Sequence, residues 1–245
     1  MNSIAVIIPS LNEAQSLREL LPMIGAMHLG QVLVCDNGST DDTREIVEQH
    51  DATWVYEPHR GYGSACYAGM RQLADHIDVV VFLDADLSDD PHLLPELCSP
   101  ILDDAYDFVL GARVPQLRQP GSMTLPQRFA NSMFPIIIKL GWGYGYSDLG
   151  PFRAIRRSSL DAIDMQDRAY GWTIEMQIRA IELGLRIHEL GVSYRKRPRG
   201  PSKISGTIKG VWLAAYWITR TCGGLWLTRR RRLKSASLNS APPRS

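Results

Sequence analysis

Short apolar runs alternate with amphipathic stretches through the first half of the chain. Brief apolar runs between turn-forming residues are typical of buried strands, and apolar residues three and four positions apart are typical of helices. The pattern predicts strands over 4–8, 31–35, 53–56, 79–83 and 107–111, and helices around 17–24, from a cap at 39–42 to about 50, over 63–76 and from Pro91. This alternation favours an α/β fold with a Rossmann-type, mostly parallel sheet and helices on both faces.

The second half has a less regular pattern. It predicts a loop over 114–126, a helix over 127–140, a strand over 152–156, a helix over 173–183, a strand over 185–194 and a basic, Gly- and Pro-rich loop over 195–205. We therefore expect one domain over 1–205, an amphipathic helix over 206–228 and a basic, disordered tail over 229–245.

Polar, turn-rich segments follow each of the first four predicted strands. They read PSLNE, DNGSTDDT, PHRGYGSA and DADLSDD. Ligands of open parallel sheets bind outside the carboxyl ends of the strands. The four segments are therefore expected to form one site along one edge of the sheet.

Composition narrows the class of protein. The chain has 245 residues, 44% of them hydrophobic and 22% charged, as in an ordinary globular domain. The four cysteines lack paired spacing, which favours reduced thiols, a cytoplasmic protein and no zinc site. The longest apolar stretch, 211–227, is interrupted by Arg220, so no transmembrane helix is predicted.

The acidic turn after the fourth strand is the strongest chemical signal. Asp84, Asp86, Asp89 and Asp90 fall within seven positions, where like charges repel. Carboxylate oxygens suit Mg²⁺ or Mn²⁺, which proteins commonly hold with one or two carboxylates and the phosphates of a ligand. We expect Asp84 and Asp86 to bind such an ion, and Asp89 and Asp90 to cap the next helix. A helix start with no metal is the alternative for all four residues.

In this turn, Asp84-Ala85-Asp86 resembles the DxD motif of the inverting family-2 glycosyltransferases with the GT-A fold. Other segments resemble that family's motifs in the same order: PxxNE at 9–13, DDGS at 36–39, RxxGxGxA at 60–65, GSR at 111–113, GFRA at 152–154 and RxxGxSK at 197–203. Asn37 replaces the second Asp of DDGS, Pro151 replaces the usual Gly or Ser, and 60–65 is one residue shorter than its motif. The chain is most similar to the dolichol- or polyprenyl-phosphate mannosyltransferase branch.

The resemblance covers residues 4–205 and implies a GT-A-like fold and a set of site residues. The DxD residues Asp84 and Asp86 would hold a divalent cation on the diphosphate, and Asp86 is also a catalytic candidate. The expected nucleotide-sugar-binding residues are Pro9, Leu11, Glu13, Val34, Asp36, Asp84, Ala85, Arg113, Arg197 and Lys203. Arg197 and Lys203 belong to a basic loop that could close over the diphosphate and stabilise the leaving charge; a solvated basic loop is the alternative.

The implied reaction moves a hexose, with inversion, from a GDP- or UDP-sugar to an acceptor. The expected acceptor is polyprenyl phosphate, which is already ionised and needs no general base. A hydroxyl acceptor would need a base, for which Asp148 and Glu175 are the candidates. Each of these two residues could instead have a local structural role, in a turn or at a helix start.

The sequence of the C-terminal region indicates which surface the protein could bind. The predicted amphipathic helix is rich in aromatic residues, and four arginines at 229–232 follow it. Such a helix suits peripheral contact with an anionic membrane, and equally suits packing on the domain. We expect no nucleic-acid partner. The location that fits is cytoplasmic, at the inner face of the membrane.

Three other classes fit parts of the sequence. VVFLDADLS resembles the nucleophile motif of haloacid-dehalogenase phosphatases, but three predicted strand–helix units precede it. RGYGSAC resembles a dinucleotide-binding loop, but it lacks a third glycine and does not follow the first strand. A non-catalytic module that binds sugar nucleotides on the same fold also stays open.

Overall fold

The computed structural model describes residues 1–197 and 216–229. Its strands are β1 Ile4–Ser10, β2 Gln31–Asp36, β3 Thr53–Tyr56, β4 Val79–Phe82, β5 Phe108–Ala112, β6 Arg153–Arg156 and β7 Ile187–Gly191. Its helices are α1 Ala14–Gly25, α2 Thr43–Glu48, α3 Tyr62–Met70, α4 Leu94–Leu102, α5 Leu125–Trp142, α6 Arg157–Ile163 and α7 Trp172–Glu182, with a helical segment over 216–229.

The seven strands form one sheet in the order β3-β2-β1-β4-β6-β5-β7. Strand β6 runs antiparallel to β4 and β5, and the other pairs are parallel. Alternate residues of β1 pack into two different hydrophobic clusters, with Ile7 in one and Ile8 in the other. The sheet is therefore buried on both faces, and the predicted mostly parallel α/β architecture is confirmed.

Several boundaries differ from those that the sequence predicts. Helix α3 ends at Met70 rather than at 76, because the backbone continues as turns in which Gln72 donates to Gly69. Helix α6 has no counterpart in the sequence prediction, since its seven residues bury only Leu160 and Ile163 as apolar anchors. A helix this short carries too few apolar repeats to stand out in the sequence.

The helical segment 216–229, here called the C-terminal helix, packs on the domain. The Thr221 hydroxyl donates to Asp167 Oδ2 at 2.7 Å, Cys222 is buried, and the Arg229 guanidinium donates to the Gly141 carbonyl. The loop 198–205, the first part of the predicted helix and the tail from 230 lie outside the described residues. Within the described ranges, none of the helices has the length and hydrophobicity that a bilayer crossing requires.

Candidate active site

A pocket opens at the carboxyl edge of the sheet, where the sequence predicts the site. It is lined by Pro9, Ser10, Leu11, Glu13, Asn37, Arg60, Gly61, Tyr62, Ala65, Asp84, Ala85, Asp86, Tyr170 and Arg197. Most of these residues come from the turns after β1, β2, β3 and β4, so the expectation that those four turns share one site is confirmed. We call this the donor pocket.

Asp84 and Asp86 lie together in the donor pocket. Asp84 Oδ1 accepts a hydrogen bond of 3.0 Å from the Tyr62 hydroxyl. Asp86 Oδ1 accepts from the Ser88 N–H at 2.8 Å, and Asp86 Oδ2 pairs with the Arg197 guanidinium. Burial, and next the charge of Asp86, raise the pKa of Asp84 to about 7. Two carboxylates with this mutual repulsion would be stabilised by a cation between them.

The two carboxylates fit Mg²⁺ or Mn²⁺ as oxygen donors, but they do not complete a coordination shell. Among residues 1–197 and 216–229, no three His, Cys, Asp or Glu side chains are grouped closely enough to hold an ion. Mg²⁺ in particular is commonly held by one or two carboxylates together with waters and ligand phosphates. The site therefore suits an ion that arrives with a phosphorylated ligand.

The capping prediction is confirmed for Asp90 and wrong for Asp89. Asp90 Oδ1 accepts from the His92 N–H at 3.2 Å, and its other oxygen pairs with Arg195. Asp89 is 3% exposed, and neither of its oxygens has a hydrogen-bond partner in the described part of the chain. Burial raises the pKa of Asp89, an effect that the nearby charge of Arg113 partly offsets.

The residues expected at the nucleoside divide into two groups. Pro9, Leu11 and Glu13 line the donor pocket, as predicted from the PSLNE turn. Asp36 is buried below it and holds the turn, accepting from the Ser39 N–H at 2.8 Å and from Trp54 Nε1 at 3.2 Å. The Val34 side chain lies in the core and does not line the pocket.

Seven pocket-lining residues are not among the sequence candidates: Ser10, Asn37, Arg60, Gly61, Tyr62, Ala65 and Tyr170. Arg60 and Tyr62 come from the RGYGSA segment, whose motif alone gives those two side chains no role. Tyr170 comes from the loop before α7, where no motif marks it. Lys203 lies outside the described residues, so its expected place over the diphosphate stays a prediction.

Arg113 and Asp148 form a buried ion pair beside the donor pocket. Arg113 Nε lies 2.6 Å from Asp148 Oδ2, Arg113 Nη2 lies 3.0 Å from Oδ1, and the backbone N–H of Arg113 also donates to Oδ2. The Asn131 amide donates to Oδ1 as well. Burial raises the pKa of Asp148, but Arg113 outweighs burial and holds that pKa below its usual value. A carboxylate bound in this way is a weak proton acceptor.

Glu175, the second candidate base, points away from the donor pocket. It is 2% exposed and accepts hydrogen bonds from the backbone N–H groups of Gln166 and Asp167 and from Arg179 Nε. It does not line the pocket. The structure therefore gives both candidate bases other partners, while their predicted catalytic role stays untested.

A second, polar pocket adjoins the Arg113–Asp148 pair. Its lining is Arg113, Val114, Pro115, Arg118, Arg128, Asn131, Ser132, Ser147 and Asp148. It combines three guanidinium groups with a carboxylate that is already paired to one of them, so the lining favours an anion. We call it the arginine pocket. Arg118 and Arg128 fall in a segment without a recognisable motif, and only the folded chain brings them to Arg113.

Comparisons with known proteins agree with this geometry. The model of Glycosyl transferase family 2 matches residues 5–164. An uncharacterized glycosyltransferase of Mycobacterium tuberculosis is 36% identical over 221 residues, which cover 87% of this chain and 94% of the relative. The undecaprenyl-phosphate mannosyltransferase of Micrococcus luteus is 34% identical over 238 residues, covering 87% of this chain and 96% of the relative.

A solved structure supports the fold. Glucosyl-3-phosphoglycerate synthase from Mycobacterium tuberculosis, in complex with Mn²⁺, UDP-glucose and phosphoglyceric acid, superposes with a TM-score of 0.73 at 22% identity. The match covers 90% of this chain and 80% of that one. The fold is thus the GT-A fold that the sequence predicts. With a family model over more than half of its length and relatives above 30% identity, the chain belongs to glycosyl transferase family 2 and is a glycosyltransferase.

Proposed function

We propose that the protein transfers a hexose from a nucleotide diphosphate sugar, with inversion and with Mg²⁺ or Mn²⁺, to the phosphate of a polyprenyl phosphate. The observation that carries the choice of acceptor is the arginine pocket next to the donor pocket. The engagement of Asp148 and Glu175 with other partners supports it, because a phosphate acceptor needs no general base.

The donor half of the proposal rests on the donor pocket. Asp84 and Asp86 would hold the divalent cation, which would neutralise charge on the leaving diphosphate. Arg197 now pairs with Asp86 Oδ2 and lies 3.9 Å from Glu13, and it is placed to turn to the diphosphate when one is bound. The Mn²⁺ and UDP-glucose in the synthase of the same fold support such a donor. The choice between GDP and UDP stays open.

The choice of a phosphate acceptor rests on the positive charge of the arginine pocket. Arg118 and Arg128 would bind the acceptor phosphate, while Arg113, whose charge also lowers the pKa of Asp84, stays fixed by Asp148. Guanidinium groups bind phosphate with two parallel hydrogen bonds, which fixes its orientation. The polyprenyl part is supported by the mannosyltransferase relative, whose named substrate is undecaprenyl phosphate.

A lipid acceptor requires contact with a membrane. Ile136 and Leu140 of α5 are exposed, as are Tyr216 and Leu227 of the C-terminal helix. The two helices meet at the hydrogen bond from Arg229 to Gly141, and the arginines of 229–232 follow in the sequence. Exposed apolar groups beside a basic cluster favour peripheral binding to anionic lipid. We place the protein at the cytoplasmic face of the membrane.

The proposal is tested by a transfer assay with matched acceptors. Radiolabelled GDP-mannose and UDP-glucose would be supplied in turn with Mn²⁺ and undecaprenyl phosphate, undecaprenol or 3-phosphoglycerate. We expect label in the lipid fraction with undecaprenyl phosphate alone. Transfer to undecaprenol would show a hydroxyl acceptor and would contradict the proposal, as would transfer only to the soluble phosphate.

A further inference from the structure

Glu175 and the segment 166–169, here called the bridging segment, connect α7 to the donor pocket through hydrogen bonds and the stretches of backbone between them. Glu175 Oε2 accepts from the Asp167 N–H at 2.7 Å and from the Gln166 N–H at 3.1 Å. Glu175 Oε1 accepts from Arg179 Nε at 2.8 Å. A buried carboxylate that accepts backbone N–H groups in this way fixes the path of the backbone that donates them.

The bridging segment in turn holds the start of α3. Its Arg168 carbonyl accepts from the Ser64 N–H at 2.9 Å, and its Ala169 carbonyl accepts from the Gly63 N–H at 3.1 Å. These bonds satisfy N–H groups that a helix start leaves without a partner, and no side chain caps α3. The Arg168 guanidinium also lies 3.5 Å from the centre of the Tyr67 ring on α3.

The backbone of the bridging segment lies so close to the start of α3 that the α3 side requires glycine. A Cβ at Gly61 would lie 2.1 Å from the Arg168 carbonyl oxygen, and one at Gly63 would lie 2.5 Å from that of Asp167. Gly61 also has a φ of +154°, which side-chain-bearing residues rarely adopt. The two backbones therefore have little freedom to shift independently.

Tyr62, the first residue of α3, completes the connection. Its hydroxyl donates to Asp84 Oδ1 at 3.0 Å, and Asp84 is one of the two carboxylates of the donor pocket. A partner that donates to a metal-binding carboxylate orients it and holds it ready for the ion. A displacement of α3 would move this hydroxyl away from Asp84.

We infer that Glu175 is a positioning residue for Asp84, acting through the bridging segment and the Tyr62 hydroxyl. This role differs from that of a general base, which would contact the acceptor. The inference rests on the proposed function in so far as Asp84 binds the cation. It also explains why an acidic residue on α7 is buried with all its bonds directed to the backbone and Arg179 rather than to the pocket.

The test is a binding measurement that does not depend on turnover. Mn²⁺ affinity, with GDP or UDP present, would be measured by electron paramagnetic resonance for the wild type, Glu175→Ala, Glu175→Gln, Tyr62→Phe and the double variant Tyr62→Phe/Glu175→Ala. Loss of the hydrogen-bond partners of a metal-binding side chain typically weakens metal binding about 10- to 100-fold. We expect a loss in that range for Glu175→Ala and Tyr62→Phe. Glu175→Gln keeps one acceptor oxygen, so its loss should be smaller.

The double variant separates positioning from stability. If Glu175 acts through Tyr62, the double variant should bind Mn²⁺ about as weakly as Tyr62→Phe alone, because the shared connection is already broken. Additive losses would overturn the inference. Glu182→Ala is the matched control, since Glu182 lies on the same helix and bonds only to Trp142 among the hydrogen bonds described, and it should leave Mn²⁺ affinity unchanged.

The remaining outcomes decide between the inference and the proposed function. If the wild type binds Mn²⁺ with a nucleotide and Glu175→Gln and Tyr62→Phe bind it equally well, the inference fails while the donor site stands. If the wild type binds no Mn²⁺ with either nucleotide, the donor site itself fails, and the inference with it. Should Glu175→Ala fail to fold, Glu175→Gln and Tyr62→Phe still decide the question.

Discussion

Two clusters of charged side chains lie at opposite edges of the sheet, and they are built differently. At the carboxyl edge, Asp84 and Asp86 repel each other and Asp89 is buried with no partner in the described ranges. At the other edge, Asp107 and Asp104 pair with Arg186 in a half-exposed network. Arg186 Nε donates to Asp107 Oδ2 at 2.9 Å.

The pKa values of the two edges shift in opposite directions. Burial and Asp86 raise the pKa of Asp84 to about 7, whereas hydrogen bonds from Arg186 lower the pKa of Asp107 to about 2. A raised carboxylate pKa means that the folded chain destabilises the charged form, and a lowered one means the reverse. A carboxylate whose pKa is raised by burial and by a neighbouring carboxylate is typical of a site that binds an ion. A carboxylate whose pKa is lowered by a paired arginine is typical of structural support.

The largest expected effect at the carboxyl edge comes from removing a metal-binding carboxylate. Asp86→Ala should lower hexose transfer on the order of a thousandfold, because the charge on the leaving diphosphate loses its cation. The fold should persist, because relief of the repulsion from Asp84 offsets the loss of the Ser88 hydrogen bond and of the Arg197 pairing. Initial rates at saturating Mn²⁺, with circular dichroism for the fold, would check this. Near wild-type rates would contradict the metal role.

The buried Arg113–Asp148 pair of the arginine pocket should be the most sensitive point for stability. Asp148→Ala leaves Arg113 charged, buried and without its main partner, which should lower the free energy of unfolding by about 3–5 kcal/mol. The matched change Asp107→Ala, at the solvent-accessible network, should cost about 1 kcal/mol. Urea denaturation of both variants would measure the contrast. Equal losses would show that the two edges do not differ as described.

A substitution in the arginine pocket should change the KM of one substrate only. Arg128→Gln removes one guanidinium from the proposed phosphate site and should raise the KM for the lipid acceptor about tenfold, with the KM for the donor unchanged. Arg157→Gln is the control, since Arg157 pairs with the exposed Asp161 on α6. A change in the donor KM instead would show that the arginine pocket binds the donor rather than the acceptor.

The smallest expected effect is the pH dependence at the structural edge. Because the folded-state pKa of Asp107 lies below its usual value, its contribution to stability is complete above about pH 4 and is lost as the pH falls toward about 2. Asp107→Asn should therefore cost about 1 kcal/mol at pH 7 and almost nothing near pH 2. Denaturation curves at the two pH values would test this. A cost that does not change with pH would contradict it.

The features that the sequence predicts correctly depend on local patterns. Strand β3 has the predicted bounds, Thr53–Tyr56, since apolar runs and turn residues are read within a few positions. The meeting of the PSLNE and DAD turns follows from a general property of parallel sheets, that their carboxyl ends share an edge. The shared pocket of Asp84 and Asp86 with the PSLNE turn can therefore be predicted from the sequence alone.

The features that the sequence does not predict depend on distant contacts. Strand β6 pairs antiparallel with β4 and β5, and nothing within Arg153–Arg156 encodes that direction. The position of Asp89 before Pro91 predicts a helix cap, but Asp89 is buried and forms an isolated bridge with Tyr194, about a hundred residues away. The arginine pocket likewise joins residues before and within α5 to Asp148.

The most direct test of the account is the thermal stability of the ligand-free and ligand-bound protein. If the mutually repelling carboxylates of Asp84 and Asp86 bind a cation together with a nucleotide diphosphate, Mn²⁺ with GDP or UDP should raise the Tm of the wild type. Either component alone should have little effect, and Asp86→Ala should abolish the increase. An unchanged Tm with both components present, or an equal increase in Asp86→Ala, would contradict the account.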